Sequence, residues 1–323
     1  MTRHPLRRPS SRIRGMPTLA ALLAIVVVST AAPAVADVGP APGAELVLPG
    51  LPAGSPPDRC RPLAPGDAGP ALRLAETFRD DFDAFDVYAG PWAPHFAHNA
   101  YGDWRARTLT ANRELQIYVD PAFAGIGSQP LGLDPFAVTS EGILGLVARR
   151  TPRTALPRLR GFPYVSGMLS SRPGFAQKHG YFEIRARLPQ GAGLWPAFWL
   201  LAPHGWPPEI DVMEARGDPA YAVHVHWRED GVNRSSGCEI PRPDAGSAFH
   251  AYGVLWTQEA IAFYLDRAPV AWIRTKPGFD RPMYLLANLA VGGWAGEPDT
   301  GTVFPATYAI DSIAAWALPA ADR

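Results

Sequence analysis

From Tyr181 to Leu188 the chain alternates without a break: Tyr181, Glu183, Arg185 and Arg187 fall on one side, Phe182, Ile184, Ala186 and Leu188 on the other. A period of two marks a half-buried strand, because successive side chains along a strand point to opposite faces. Val254–Trp256 and Ile261–Leu265 continue the theme. Asp266-Arg267, placed between Leu265 and the run Pro269–Ile273, predicts a hairpin turn. The body of the chain carries no helical period of useful length, and 31 Gly and 36 Pro supply frequent turns. Short strands joined by many turns predict an antiparallel β-sandwich.

One predicted strand breaks the alternation. In Glu209-Ile210-Asp211-Val212-Met213-Glu214, Glu209 and Asp211 share a face, and strict alternation would turn Glu214 to the other. A β-bulge, one extra residue in the strand, restores Glu214 to the acidic face, and bulges are enriched beside active sites. Glu209 and Glu214 would then lie four effective steps apart, roughly 13 Å between Cα atoms at ~3.3 Å per step. Two Glu side chains leaning together close that to roughly 5 Å, near the separation of a retaining glycosidase pair; inverting pairs stand ~6.5–9.5 Å apart. Asp211 between them adds a third like charge, which raises a neighbour's pKa and helps keep one Glu protonated near neutrality. The plainer alternative is a solvated acidic face on an edge strand.

The ends of the chain add a setting. Arg3, Arg7, Arg8, Arg12 and Arg14 precede an apolar run from about Leu19 to Val28, and Ala34-Val35-Ala36 forms a small-x-small site. Residues 1–36 are thus expected to be a secretory signal, too short for a membrane span, sending the mature chain to the periplasm or outside the cell. Residues 37–74, rich in Pro, Gly and Ala, are expected to be an extended linker. Residues 75–319, about 245 in all, suit a single sandwich domain. A formal net charge of +0 argues against nucleic acid or an anionic membrane as partner. The two cysteines, Cys60 and Cys238, suggest one disulfide in an exported chain, with two separate thiols as the alternative.

The flanks of the acidic strand narrow the chemistry. Gly193-Leu194-Trp195-Pro196-Ala197-Phe198-Trp199 lies upstream, and His204-Gly205-Trp206-Pro207-Pro208 leads into Glu209. This arrangement resembles glycoside hydrolase family 16, in its laminarinase-like and bacterial exopolysaccharide endo-1,3-1,4-β-glycanase branch, whose signature is Glu-x-Asp-x-x-Glu after Trp-Pro-Ala-x-Trp. The resemblance runs from about Phe78 to Trp316, through Arg107-Thr108-Leu109, Ser166-Gly167-Met168, Phe249-His250-Ala251-Tyr252 and Leu289-Ala290-Val291-Gly292-Gly293. It implies a concanavalin-like jelly roll of two antiparallel sheets with a concave substrate cleft, and makes residues 75–319 the catalytic domain. It also implies that Glu209 is the nucleophile, Glu214 the general acid/base and Asp211 the residue tuning the nucleophile. The residues alone leave open which Glu attacks.

Candidate substrate contacts follow. Indole faces pack on the C–H faces of sugars. Trp206 stands three residues before Glu209, and Trp195 and Trp199 share a strand face; all three are expected in the cleft, with core packing the alternative for Trp199. Trp256, Trp272 and Trp316 are expected in the core. His224 and His226 alternate on the next strand, with His226 preferred as a sugar or Glu214 contact. By similarity, Asn288 and Arg107 bind sugar and Asp311 is the side-chain ligand of a structural calcium. The double-displacement reaction requires no cofactor.

The expected protein is a secreted monomer, a retaining endo-β-glycanase acting on β-1,3- or mixed β-1,3-1,4-linked polysaccharide, whether a glucan or a bacterial exopolysaccharide. A transglycosylase on the same site and a non-catalytic lectin-like carbohydrate-binding module are the alternatives. Three packed acids argue against the latter, since a binder gains nothing from their repulsion.

Overall fold

Wherever polar and apolar residues alternate, the chain extends. The computed structural model describes residues 45–319, so the expected signal (1–36) and the first part of the expected linker (37–44) lie outside the described residues. In chain order the strands are β1 (Glu45–Gly50), β2 (Arg61–Pro62), β3 (Gly69–Asp80), β4 (Gln116–Tyr118), β5 (Phe136–Val138), β6 (Leu144–Arg150), β7 (Tyr164–Ser166), β8 (Met168–Ser170), β9 (Gly180–Arg187), β10 (Leu194–Leu201), β11 (Glu209–Ala215), β12 (Ala220–Glu229), β13 (Val232–Pro241), β14 (His250–Trp256), β15 (Ala260–Leu265), β16 (Ala268–Arg274), β17 (Tyr284–Val291) and β18 (Ala306–Ala317). The hairpin between β15 and β16 is the expected one. Asp266 and Arg267 both have positive φ, 49° and 62°, as in the two-residue turns whose twist matches that of the flanking strands.

The strands form two layers of a jelly-roll sandwich. The smaller sheet has the order β13-β12-β11-β10-β17-β8, and the larger contains the path β2-β16-β15-β14-β9-β18-β6-β7-β4. Every pairing in the smaller sheet is antiparallel. In the larger sheet, β4 runs parallel to β7, an exception to the expected antiparallel pattern. Between the sheets, Phe198, Leu200, Ile210, Val223 and Val225 meet Phe182, Ile184, Val254, Phe263 and Ile310 in one core. Phe182, Ile184, Ala186 and Leu188 all point into it, as their alternation requires. No helix among the described residues is long and apolar enough to cross a membrane.

The other face of β9 corrects the linker expectation. Tyr181, Tyr264, Trp272 and Trp316 form a broad apolar patch on the outside of the larger sheet, covered by Leu46, Leu48 and Leu74. From residue 45 onward the expected linker is therefore folded: β1 pairs with β3, and β3 continues the sheet at β18. Its Pro-, Gly- and Ala-rich composition concealed the alternation Leu46-x-Leu48 and Leu72-x-Leu74. Covering each leucine contributes about 1.5–3 kcal/mol. The chain then reaches Cys60, which is disulfide-bonded to Cys238 on β13. Because β2 and β13 end their respective sheets, the bond clips the two layers together along one edge.

Leu48 has no solvent exposure, so Leu48→Ala is expected to destabilise the fold by about 2–5 kcal/mol. Urea unfolding checks this: a midpoint equal to that of the parent would mean that the N-terminal hairpin merely rests on the sandwich.

Candidate active site

The apolar residues of β11 force its acids together. Val212 and Met213 are consecutive, yet both are buried in the core between the sheets, which a regular pleat does not allow. The strand bulges instead. Against β10, Asp211 pairs with Trp199 and Met213 with Phe198, leaving Val212 without a partner. Against β12, Asp211 pairs with His224 and Glu214 with Ala222, so two residues oppose Val223 alone. The outcome is the predicted one: Glu209, Asp211 and Glu214 lie on the outer face of the smaller sheet. Directly opposed residues share that face. It therefore also carries His226 and His224 from β12, Trp199, Ala197 and Trp195 from β10, and Asn288 from β17 opposite Ala197.

Each acid has its own nitrogen neighbours. Trp206, 51% exposed at the rim, donates its indole N–H to Glu209 Oε2 at 3.0 Å. His226 Nε2 lies 3.0 Å from Asp211 Oδ2 and 3.8 Å from Glu209 Oε1. Glu214 is held on both sides: Trp195 Nε1 donates to Oε1 at 3.1 Å, and His224 Nδ1 stands 2.8 Å from Oε2. Trp195 packs edge-on against Trp294, which also meets the edge of His224.

Burial sets the electrostatics. Glu209 is held well above the usual carboxylate range by burial, then by the charge of Asp211, with His226 and the Trp206 N–H opposing. Asp211, only 4% exposed, is raised by burial and then by Glu214. Like charges this close do not all persist. Both Glu209 and Asp211 are thus pushed toward their protonated forms, Asp211 as the deepest of the three acids. His224 is raised overall: burial lowers it, but the hydrogen bond and charge of Glu214, followed by Asp211, outweigh burial. Donor atoms of Glu209, Asp211 and His226, and of Asp211, Glu214 and His224, lie within 4.8 Å of one another.

Some predicted contacts lie elsewhere. Arg107 does not line the groove. It is fully buried, paired at 2.7 Å with the equally buried Asp120, whose other oxygen accepts the hydroxyls of Tyr88 and Tyr101. An unpaired carboxylate at that depth would be costly, and the arginine neutralises it. Trp199 and Asn288 face the groove side but form its floor: Trp199 Nε1 donates to Asn288 Oδ1 at 2.7 Å, and Asn288 Nδ2 donates to the Tyr118 hydroxyl at 3.0 Å. The carboxylate of Asp311, on β18, pairs with Arg185 at 3.0 Å. Trp256, Trp272 and Trp316 are buried as expected, Trp256 between the sheets and Trp272 and Trp316 beneath the N-terminal hairpin. The sequence reading set His224 behind His226, although alternation placed both on one face. Trp294, in a Gly-flanked 3₁₀ turn (Gly293–Ala295), had no periodicity to mark it.

Comparison with known proteins agrees with this arrangement. The profile of the glycosyl hydrolases family 16 matches residues 134–311. The chain is 41% identical over 253 residues to the endo-1,3-1,4-beta-glycanase EglC of Rhizobium meliloti, covering 76% of this chain and 52% of that protein. It is 34% identical over 228 residues to a beta-glucanase of Rhodothermus marinus, covering 62% and 73%. The chain spans about half the length of EglC and of a second Rhizobium glycanase, ExsH. Among solved structures, the endo-beta-1,3-glucanase of Pyrococcus furiosus superposes with a TM-score of 0.62 at 27% identity, over 77% of this chain and 96% of that one. The laminarinase of Rhodothermus marinus gives 0.59 at 28% identity, over 76% and 98%.

The raised Asp211 makes a prediction about stability. A carboxyl whose pKa rises on folding stabilises the fold below its unfolded value, here 3.8, and that contribution is lost as pH rises through the folded value. Asp211→Asn cannot ionise, so it is expected to melt above the parent at pH 8 and level with it at pH 4. A gain of about 1 kcal/mol would appear as ~2–4 °C. Parallel melting curves at both pH values would mean that Asp211 is not strained by its neighbours.

Proposed function

Since the chain belongs to glycosyl hydrolases family 16, we propose that it is a secreted, retaining endo-β-glycanase that cleaves β-1,3- or mixed β-1,3-1,4-linked polysaccharide. The observation that carries the reading is the bulge at Val212–Met213, which lines up Glu209, Asp211 and Glu214 along one groove. Glu209 attacks the anomeric carbon. Glu214 protonates the departing glycosidic oxygen, and a glycosyl ester forms on Glu209. Glu214, now a carboxylate, takes a proton from water as the water oxygen displaces Glu209, and a second inversion restores the starting configuration. Asp211, protonated between them, donates a hydrogen bond to the nucleophile and holds its negative charge in place. Trp206 at the rim and Trp195 beside Glu214 give flat surfaces for the sugars on either side of the scissile bond.

The names of the Rhizobium relatives support a substrate with both 1,3 and 1,4 linkages, and a bacterial exopolysaccharide of that kind is as suitable a substrate as laminarin. The neutral overall charge, +0, suits an uncharged glucan backbone. Laminarin, mixed-linkage glucan, curdlan, succinoglycan and agarose offered in parallel are expected to yield short oligosaccharides from the polymers with β-1,3 bonds and none from agarose. Products longer than the starting chains would instead identify a transglycosylase.

Glu209→Ala is expected to lower hydrolysis by on the order of 10⁴-fold or more, the scale seen when a nucleophile is deleted. Azide added to this variant is expected to restore cleavage and to release a glycosyl azide of inverted configuration. A folded variant that azide fails to rescue would assign the attack to another group.

A further inference from the structure

His224 has no part in the two-carboxylate scheme, yet three features press its ring against Glu214. It stands opposite Asp211 on β12, with Nδ1 2.8 Å from Glu214 Oε2. Directly across from it on β13 is Gly237, where a Cβ would come within 2.1 Å of His224 Cδ2; the ring therefore lies over bare backbone that no other residue type would leave open. Trp294 closes the third side, its ring centroid 5.8 Å from that of His224 in an edge-to-face contact. Trp195 holds the other oxygen of Glu214 and packs on the same Trp294.

We propose that His224 is a positioning residue that shares one proton with Glu214, so that the pair, and not the carboxyl alone, sets the alkaline limit of hydrolysis. The inference rests on the reading of Glu214 as the acid/base. The pair carries its proton as imidazolium and carboxylate or as imidazole and carboxylic acid, and transfer along the 2.8 Å contact interconverts the two forms. As the glycosidic bond breaks, the proton leaves the pair through Glu214 to the departing oxygen. As water attacks and the ester to Glu209 breaks, Glu214 takes the proton of the water and the pair is restored.

The surroundings favour a charged His224. Asp211 and Glu214 face it from β11, and His226 on its own strand, 6.0 Å away ring to ring, opposes. From β13 the directly opposed residue is Gly237, and the nearby Glu239 is bound to Arg216, whose guanidinium lies over Trp294. A proton held on His224 persists to higher pH than one held on an isolated carboxyl, and the imidazole keeps it within reach of Glu214.

The test compares the parent, His224→Gln and Gly237→Ala by the pH dependence of kcat/KM. A glutamine can hold the hydrogen bond to Glu214 but cannot carry its proton; an alanine at 237 displaces the ring without removing it. On polysaccharide, both variants are expected to move the alkaline limb down by about one pH unit, a tenfold loss at a pH on that limb. On an aryl glycoside with an activated phenol, whose departure needs no proton, the limb is expected to stay with that of the parent. An unshifted limb in both folded variants, or an equal shift on the activated substrate, overturns the proposal. Glu214→Gln serves as the control: it should abolish polysaccharide cleavage but retain attack on the activated substrate. If it still hydrolyses polysaccharide, the acid/base reading itself falls; if it does not, an unmoved limb counts against His224 alone.

Discussion

Two adjacent apolar side chains, Val212 and Met213, both enter the core, and the rest of the site depends on how the strand accommodates them. A regular strand would bury one and expose the other, carrying Glu214 inward with the wrong parity. The bulge lets the core accept both, and as a consequence the third acid comes round to the face of the first two. The hydrophobic effect on one side of the sheet thus holds together, on the other, three carboxylates that would repel one another if all were charged.

That repulsion accounts for the surroundings. Two indole N–H groups and two imidazoles meet the three acids, each with a nitrogen within 3.1 Å of a carboxylate oxygen. The floor beneath is fixed by a chain of buried polar contacts from Trp199 through Asn288 to Tyr118. Buried networks of this kind have to be satisfied to be tolerated, and once satisfied they are rigid. The same demand explains Glu114, which burial pushes up to about 7 despite hydrogen bonds from Leu109 N, Gln116 and Thr108. Its segment pairs with Gly292, next to the turn that presents Trp294.

The opposite side of the molecule follows a different logic. The outer face of the larger sheet is aromatic, and it is not left to solvent: the N-terminal hairpin lies across it, and the Cys60–Cys238 bond joins the edges of the two layers. Glu183, on that outer face, is buried and paired with Arg267 at 2.9 Å. The alternation of β9 thus separates two buried environments, one between the sheets and one beneath the hairpin, where the pattern alone would suggest a wet face.

Local spacing was enough to mark β9, the β15–β16 hairpin, the strand of acids and the need for a bulge within it, because each depends on a period of two that neighbouring residues display by themselves. Resemblance carried the roles of Glu209 and Glu214. Distant partners decided the rest. Arg107 looked like a groove residue until Asp120 claimed it, and Leu46 and Leu48 like linker until they met the aromatic face. His224 owes its position to a glycine on the next strand. A sequence displays which residues alternate; it does not display which charge or void will stand opposite, since that is settled only when strands far apart in the chain come into register.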